Sequence, residues 1–177
     1  CISYSGNGGL GMGFAVQTDM VLPPIHLLGT EENKQRYLVP GIKGEKIGCL
    51  GITEPGAGSD VAGIRTTALR DGDEYVINGS KIWTSGAHLS QFGILIARTD
   101  PEAKKHEGIS FFVFPMHLPG VEIRPLKQMT GEAEFDEVIT RTRASLDPGG
   151  VVVAVHWWGH SDDHLRHGAA VHGQLRR

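Results

Sequence analysis

The sequence predicts an α+β chain, with a short helical N-terminal segment followed by a β-barrel- or β-sandwich-like middle domain. Three observations carry this. Residues 1–44 hold helix-start and helix-stop signals between glycine interruptions. From about 46 to 128 the texture changes to short apolar runs divided by turn residues. Glycine supplies 25 of the 177 residues, about twice its usual ~7% share, as a loop-rich chain requires.

In the first segment Thr30 is the expected N-cap, Glu31 and Glu32 suit the positive end of a helix dipole, and Pro40-Gly41 is the expected stop. Tyr37 and Leu38 need a core that so short a segment cannot build alone. Strands are expected at 47–53, 64–69, 75–77, 81–84, 92–98, 109–114 and 121–125. Asp71-Gly72 and Asn78-Gly79 are the expected hairpin turns, because glycine accepts positive φ. Seven strands at this spacing suggest a sandwich or a partly closed barrel. The expected domain limits are 1–44, 45–140 and an atypical tail, 141–177.

The tail is set apart by residue usage. It holds five of the nine histidines and five arginines, yet no lysine, glutamate, isoleucine, phenylalanine or asparagine. Residues 1–140 carry 12 Lys+Arg against 17 Asp+Glu, a net of -5, whereas the tail is +2. So abrupt a change fits a linker, an appended tail or a shift of reading frame near residue 139. A shifted frame of GC-rich coding accounts best for the bias. His156, His160, His164 and His167 fall at helical spacing suited to a transition metal, but Gly159 and Gly168 weaken any such helix, and no biological metal site is expected.

Composition excludes several classes. Apolar residues at 40% and charged residues at 21% match globular usage, and no run of 18 apolar residues exists to span a bilayer. A net charge of -3 excludes a dominant nucleic-acid footprint. Two cysteines, Cys1 and Cys49, make no disulfide framework and point to a reducing compartment. The sequence opens on Cys1 with no visible leader, so a missing or removed N-terminus is expected.

Two segments carry the chemistry. Thr53-Glu54-Pro55-Gly56-Ala57-Gly58-Ser59-Asp60 leaves an expected strand as a loop of small residues, able to lay N–H and hydroxyl donors against a planar or anionic ligand. An ordinary glycine turn fits the spacing equally well, with Glu54 and Asp60 as turn-stabilising groups. Lys81-Ile82-Trp83-Thr84-Ser85-Gly86 offers a flat indole beside two hydroxyls, although a strand tryptophan more often packs a sheet. His88 is a proton-shuttle candidate or a surface residue. Gly6-Asn7-Gly8-Gly9-Leu10-Gly11 matches a dinucleotide-binding pattern, but Pro23-Pro24 breaks the required crossover, so a helical packing surface is expected.

Together the two segments resemble the acyl-CoA dehydrogenase family of flavoproteins. Residues 51–63 fit its glycine-rich signature, residues 79–86 its second flavin-contacting strand, and 29–38 the helix leading to its middle domain. The likeness runs from about residue 3 to 138. It implies FAD held between a small β-domain and a C-terminal helical bundle that no segment of this chain matches. The positions matching flavin contacts are Leu50, Ile52, Thr53, Gly58, Ser59, Trp83, Thr84 and Ser85. Trp83 flanks the isoalloxazine, Ser85 lies near N5, and Ser59 also approaches the substrate's phosphopantetheine arm.

The resemblance implies α,β-dehydrogenation of an acyl-CoA to a trans-2-enoyl-CoA, with electrons passed to an electron-transfer flavoprotein. It also implies a homo-oligomer, and a cytoplasmic or, in a eukaryote, mitochondrial-matrix location. The carboxylate base belongs to the unmatched bundle, so no residue here is assigned as base and little turnover is expected of this chain. The alternative is a non-catalytic flavin- or acyl-CoA-binding remnant of a disrupted gene.

Overall fold

The computed structural model describes Tyr4, residues 6–145 and residues 155–156. Helix α1 (Gly8–Ala15) starts at Asn7, whose side-chain oxygen accepts the Leu10 N–H. It continues through a π-helical stretch, Val16–Val21, into α2 (Leu22–Leu28). Thr30 caps α3 (Glu31–Asn33) as expected, its Oγ1 accepting the Asn33 N–H at 3.2 Å. A second π stretch, Lys34–Leu38, leads into α4 (Val39–Ile42).

Each π stretch is followed within two residues by proline: Pro23-Pro24 in the first case, Pro40 in the second. Proline has no N–H to donate, so the ladder cannot hold its i→i−4 pattern there. The N–H of Leu22 instead bonds Gln17 O, and that of Val39 bonds Lys34 O, each five residues back. Pro40 is tolerated in the first turn of α4, and the helix therefore ends at Ile42 rather than at Pro40-Gly41. The chain then reverses at Gly44, which takes φ +75°.

The strands are β1 (Gly48–Gly51), β2 (Thr67–Asp71), β3 (Glu74–Ser85), β4 (Phe92–Arg98), β5 (Ile109–Pro115), β6 (Val121–Leu126), β7 (Phe135–Ser145) and β8 (Val155–His156). They form one mixed, curled sheet in the order β6-β7-β3-β2-β4-β5-β8, with β1 also on β4. This half-barrel is the partly closed form of the two expected architectures. Strand β5 occupies one edge of β4 along its full length. The other edge is shared end to end by two parallel partners, β1 from Phe92 to Leu95 and β2 at Arg98. The chain between them, residues 52–66, leaves the sheet at that break.

Asp71-Gly72 is a hairpin turn as expected, with Gly72 at φ +63° and Asp71 paired to Glu74. Asn78-Gly79 is not a turn: it lies inside β3, one twelve-residue strand where two were expected. Glycine is needed there for a close approach, since a Cβ at Gly79 would meet the Thr66 side chain. Strand β7 pairs with β3 from Phe135 through Ser145, directly across the point where residue usage changes. Thr140 and Thr142 are buried while Arg141 and Arg143 are exposed, the period-two pattern of a sheet with one covered face.

The core has two parts. Inside the curl lie Ala68, Tyr75, Ile77, Leu95, Ala97, Phe112, Phe114 and Val138. On the outer face of β4 and β5, Phe92, Ile94 and Val113 pack against Val21, Leu22, Ile25, Tyr37 and Leu38 of the helices. The sheet thus supplies the core that Tyr37 and Leu38 required. Among the described residues no helix is long and apolar enough to cross a membrane.

Candidate functional site

The two chemistry-bearing segments meet. The Ile82 N–H donates to Thr53 O at 2.8 Å, and Lys81 Nζ donates to Ile52 O at 3.1 Å, so the end of β1 lies against the far half of β3. Residues 54–57 close a tight turn in which Glu54 and Ala57 exchange both backbone bonds, at 2.9 and 3.1 Å, around Pro55-Gly56. Ala57 points inward onto Ile64 and Ile109, while Gly56, Gly58 and Ser59 are exposed.

The loop is held by charge. Glu54 is buried, and its carboxylate accepts the Arg65 N–H at 2.7 Å, the Thr66 N–H at 2.9 Å and Lys81 Nζ at 2.8 Å. Lys81 is fully buried. Burial by itself raises the Glu54 carboxyl, but donation from Lys81, Thr66 and the Arg65 N–H outweighs it and holds the group below the ordinary carboxylate range. Burial lowers the Lys81 ammonium, and Glu54 opposes that shift. Arg98 completes the clamp from β4, donating to the carbonyls of Ala62 at 2.7 Å and Ile64 at 3.4 Å.

Because the folded Glu54 value lies below the unfolded one, its contribution to stability is complete above about pH 4.3, the unfolded value, and is lost as pH falls through the folded value. Thermal melts from pH 7 to 3 should therefore show an acid-side loss of stability in the natural chain that is smaller in Glu54→Gln.

On β3 a bulge between Lys81 and Thr84 puts Trp83 at φ +60°, a conformation rare for a bulky residue. The indole stands out at 56% exposure, braced edge-on by Phe135 of β7 with ring centroids 6.1 Å apart. Ser85 is exposed, whereas Thr84 faces inward, buried, with no partner for its Oγ1 among the described residues. Beyond Ser85, the His88 ring lies 2.8 Å from Asp136, a fully buried carboxylate of β7.

The structure thus joins Ile52 and Thr53 to residues 81–82 of β3, leaves Gly58 and Ser59 exposed on the loop that follows, and exposes Trp83 and Ser85 on β3; Leu50 is half-buried against the helical cluster, and the Thr84 side chain is buried. Glu54 is occupied by Lys81 and two backbone donors, a turn-stabilising role. His88 has a specific partner and is not an isolated surface group. Sequence reasoning passed over Lys81, Arg98 and Asp136. One signal pointed to Lys81: it continues the inward series Tyr75, Ile77, Gly79, so a buried counter-charge was required. Of the Gly6–Gly11 run, residues 8–11 lie in helix α1, as the helical expectation has it, but none of the α1 side chains is buried among the described residues. His160, His164 and His167 lie outside the described residues, and of His156 only its backbone pairing is described.

Comparison with known proteins shows the family. The profile of the acyl-CoA dehydrogenase middle domain matches residues 49–142, and that of the N-terminal domain matches residues 2–45. Acyl-CoA dehydrogenase IpdE1 of Mycobacterium tuberculosis is 46% identical over 135 residues, covering 74% of this chain and 35% of that protein. The solved Tcur3481-Tcur3483 steroid acyl-CoA dehydrogenase superposes with TM-score 0.70 at 41% identity, over 77% of this chain and 35% of that one. A glutaryl-CoA dehydrogenase from Mycobacterium smegmatis, solved in complex with FADH2, gives TM-score 0.74 at 28% identity, over 93% of this chain and 42% of that one.

The chain belongs to the acyl-CoA dehydrogenase family, FAD-using oxidoreductases that act on acyl-CoA. It spans about a third of the length of IpdE1. The family match reaches residue 142, past the change in residue usage.

Proposed function

We propose that residues 45–140 are the flavin- and acyl-CoA-binding domain, and residues 1–44 the end of the helical domain before it, of an FAD-dependent acyl-CoA dehydrogenase. The observation that carries this reading is the bare loop at 56–59, which follows Thr53, whose carbonyl accepts the Ile82 N–H one residue before the outward Trp83. Gly56 and Gly58 have neither positive φ nor any atom of the described residues within 4 Å of a would-be Cβ, so nothing among the described residues requires glycine there. A loop stripped of side chains without internal need is suited to a ligand approaching from outside.

The residues fit a flavin. Trp83 offers its face to a planar ring, Ser85 and Thr53 offer uncharged donors at its edge, and the backbone of Gly58 and Ser59 is open to an anionic or carbonyl group. Leu50 and Ile52 supply apolar backing, Thr84 contributes through its backbone, and Ser59 adds a hydroxyl toward the pantetheine arm. FAD, when bound, supplies the acceptor for the β-hydrogen leaving as hydride. The chain's own part is to orient the ring, exclude water from it and keep fixed charge away from the departing hydride. The base that takes the α-proton lies outside this loop, since Glu54 is committed to Lys81. Electrons then pass to an electron-transfer flavoprotein, and the enzyme works as an oligomer.

The test is a titration of the purified chain with FAD, followed by flavin fluorescence and absorbance. Gly58→Val should stay within about 0.5 kcal/mol in stability, as for an open surface position, yet bind FAD at least about tenfold more weakly. Trp83→Ala should weaken FAD similarly. A chain that takes up no FAD, or variants that bind it unchanged, would overturn the reading. Anaerobic acyl-CoA should not bleach the flavin of this chain alone; bleaching would place a base within it and refute the remnant alternative.

A further inference from the structure

Asp136 is fully buried in β7, and among the described residues His88 is its ion-pair partner. The His88 Nδ1 lies 2.8 Å from Oδ2 and 3.1 Å from Oδ1, and the His88 N–H also donates to Oδ2 at 3.1 Å. The segment between Ser85 and His88 is wrapped around this carboxylate. Gly86, at φ +60°, donates its N–H to Glu134 O at 3.0 Å and accepts from Ser90 Oγ at 3.0 Å. Thr84 and Ser85 sit opposite Asp136 and Phe135 in the ladder, immediately after the bulge that lifts Trp83 out of register.

The ladder slackens at that bulge, so something else must locate the strand end beyond it. A buried carboxylate is costly unless it is fully satisfied, and it is satisfied here only with the 86–90 turn folded against it. We propose that Asp136 and His88 form a clasp that positions the Trp83–Ser85 strand end, making them a positioning pair for the flavin site; the flavin part rests on the reading above. Nδ1 carries the proton donated to Asp136, which leaves Nε2 free of that task.

The test uses the full 177-residue chain, His88→Leu and His88→Asn, whose Nδ2 falls close to the place of the imidazole Nδ1. Two measurements are made: amide hydrogen exchange at residues 84–90 without flavin, and FAD affinity. In His88→Leu these amides should exchange about tenfold faster and FAD should bind about tenfold more weakly, the loss of one hydrogen bond to a charged group. His88→Asn should restore both to within about threefold. Unchanged exchange in His88→Leu would overturn the clasp. Faster exchange with unchanged FAD affinity would overturn its positioning role, and equal loss of affinity in both variants with exchange unmoved would make His88 a direct contact instead. If the unsubstituted chain takes up no FAD, the flavin reading fails, and the exchange measurement still decides the clasp.

Discussion

Glu54→Gln should destabilise the folded chain by about 3–5 kcal/mol, because it leaves the ammonium of Lys81 buried without its counter-ion. Lys81→Met should cost less. The carboxylate it strands keeps the Arg65 and Thr66 N–H donors, and the methionine stem fills most of the space of the lysine. The double variant should be more stable than Glu54→Gln alone, since it buries no unpaired charge. A double-mutant cycle by urea denaturation measures the coupling. Additive costs would show that the pair does not act as a unit. The loop itself should open in Glu54→Gln, because the same carboxylate joins residue 54 to residues 65 and 66. Limited proteolysis near Gly58 reads this directly.

Gly120→Ala, in the turn before β6, should be the most damaging replacement among the glycines of positive φ, at about 3 kcal/mol. Gly120 combines φ +85° with a would-be Cβ on top of the Arg141 carbonyl, so both strain and a backbone clash oppose any side chain. It also anchors the second half of β7: the Arg141 N–H donates to Gly120 O at 2.8 Å, and Thr142 Oγ1 donates to Pro119 O at 2.6 Å. Loss should appear as a lower Tm and as faster amide exchange confined first to residues 139–143. By contrast, Gly131→Ala has positive φ but open space around it, so strain alone acts and about 1 kcal/mol is expected. Equal costs at the two positions would show that the clash with Arg141 is relieved by movement.

Much of the fold was legible because its signals are local. Strand β4 was read at 92–98 from an apolar run that proves buried on both faces, and the Thr30 cap from a hydroxyl directly ahead of Glu31 and Glu32. Misreadings arose where one residue type serves two purposes. Gly79 served close approach to Thr66, not a turn, and so β3 was divided in two. Strand β7 was not expected at all: charged residues stand among its outer positions and it runs across the change in residue usage, although Val138, Thr140, Thr142 and Ala144 alternate inward. At the site, both candidate segments stood out by their residue types, but a flavin role came to them only through the family resemblance. Their supports could not: Glu54 meets Lys81 across 27 residues, and His88 meets Asp136 across 48. Such pairings are created by sheet curvature, to which spacing along the chain is blind.

The two π stretches limit how the helical segment can change over evolution. Each amounts to a residue inserted into an α-helix at the point where a proline would otherwise break the ladder. Deleting one residue from 16–21 would restore a regular helical repeat, but would rotate everything upstream by about 100° relative to α2. Gln17, which donates to Gly41 O and Lys46 O and accepts the Gly48 N–H, would swing away from all three. This stretch should accordingly accept exchanges of side chain far more readily than any change of length, with its reading register as much a heritable feature as the residues that fill it.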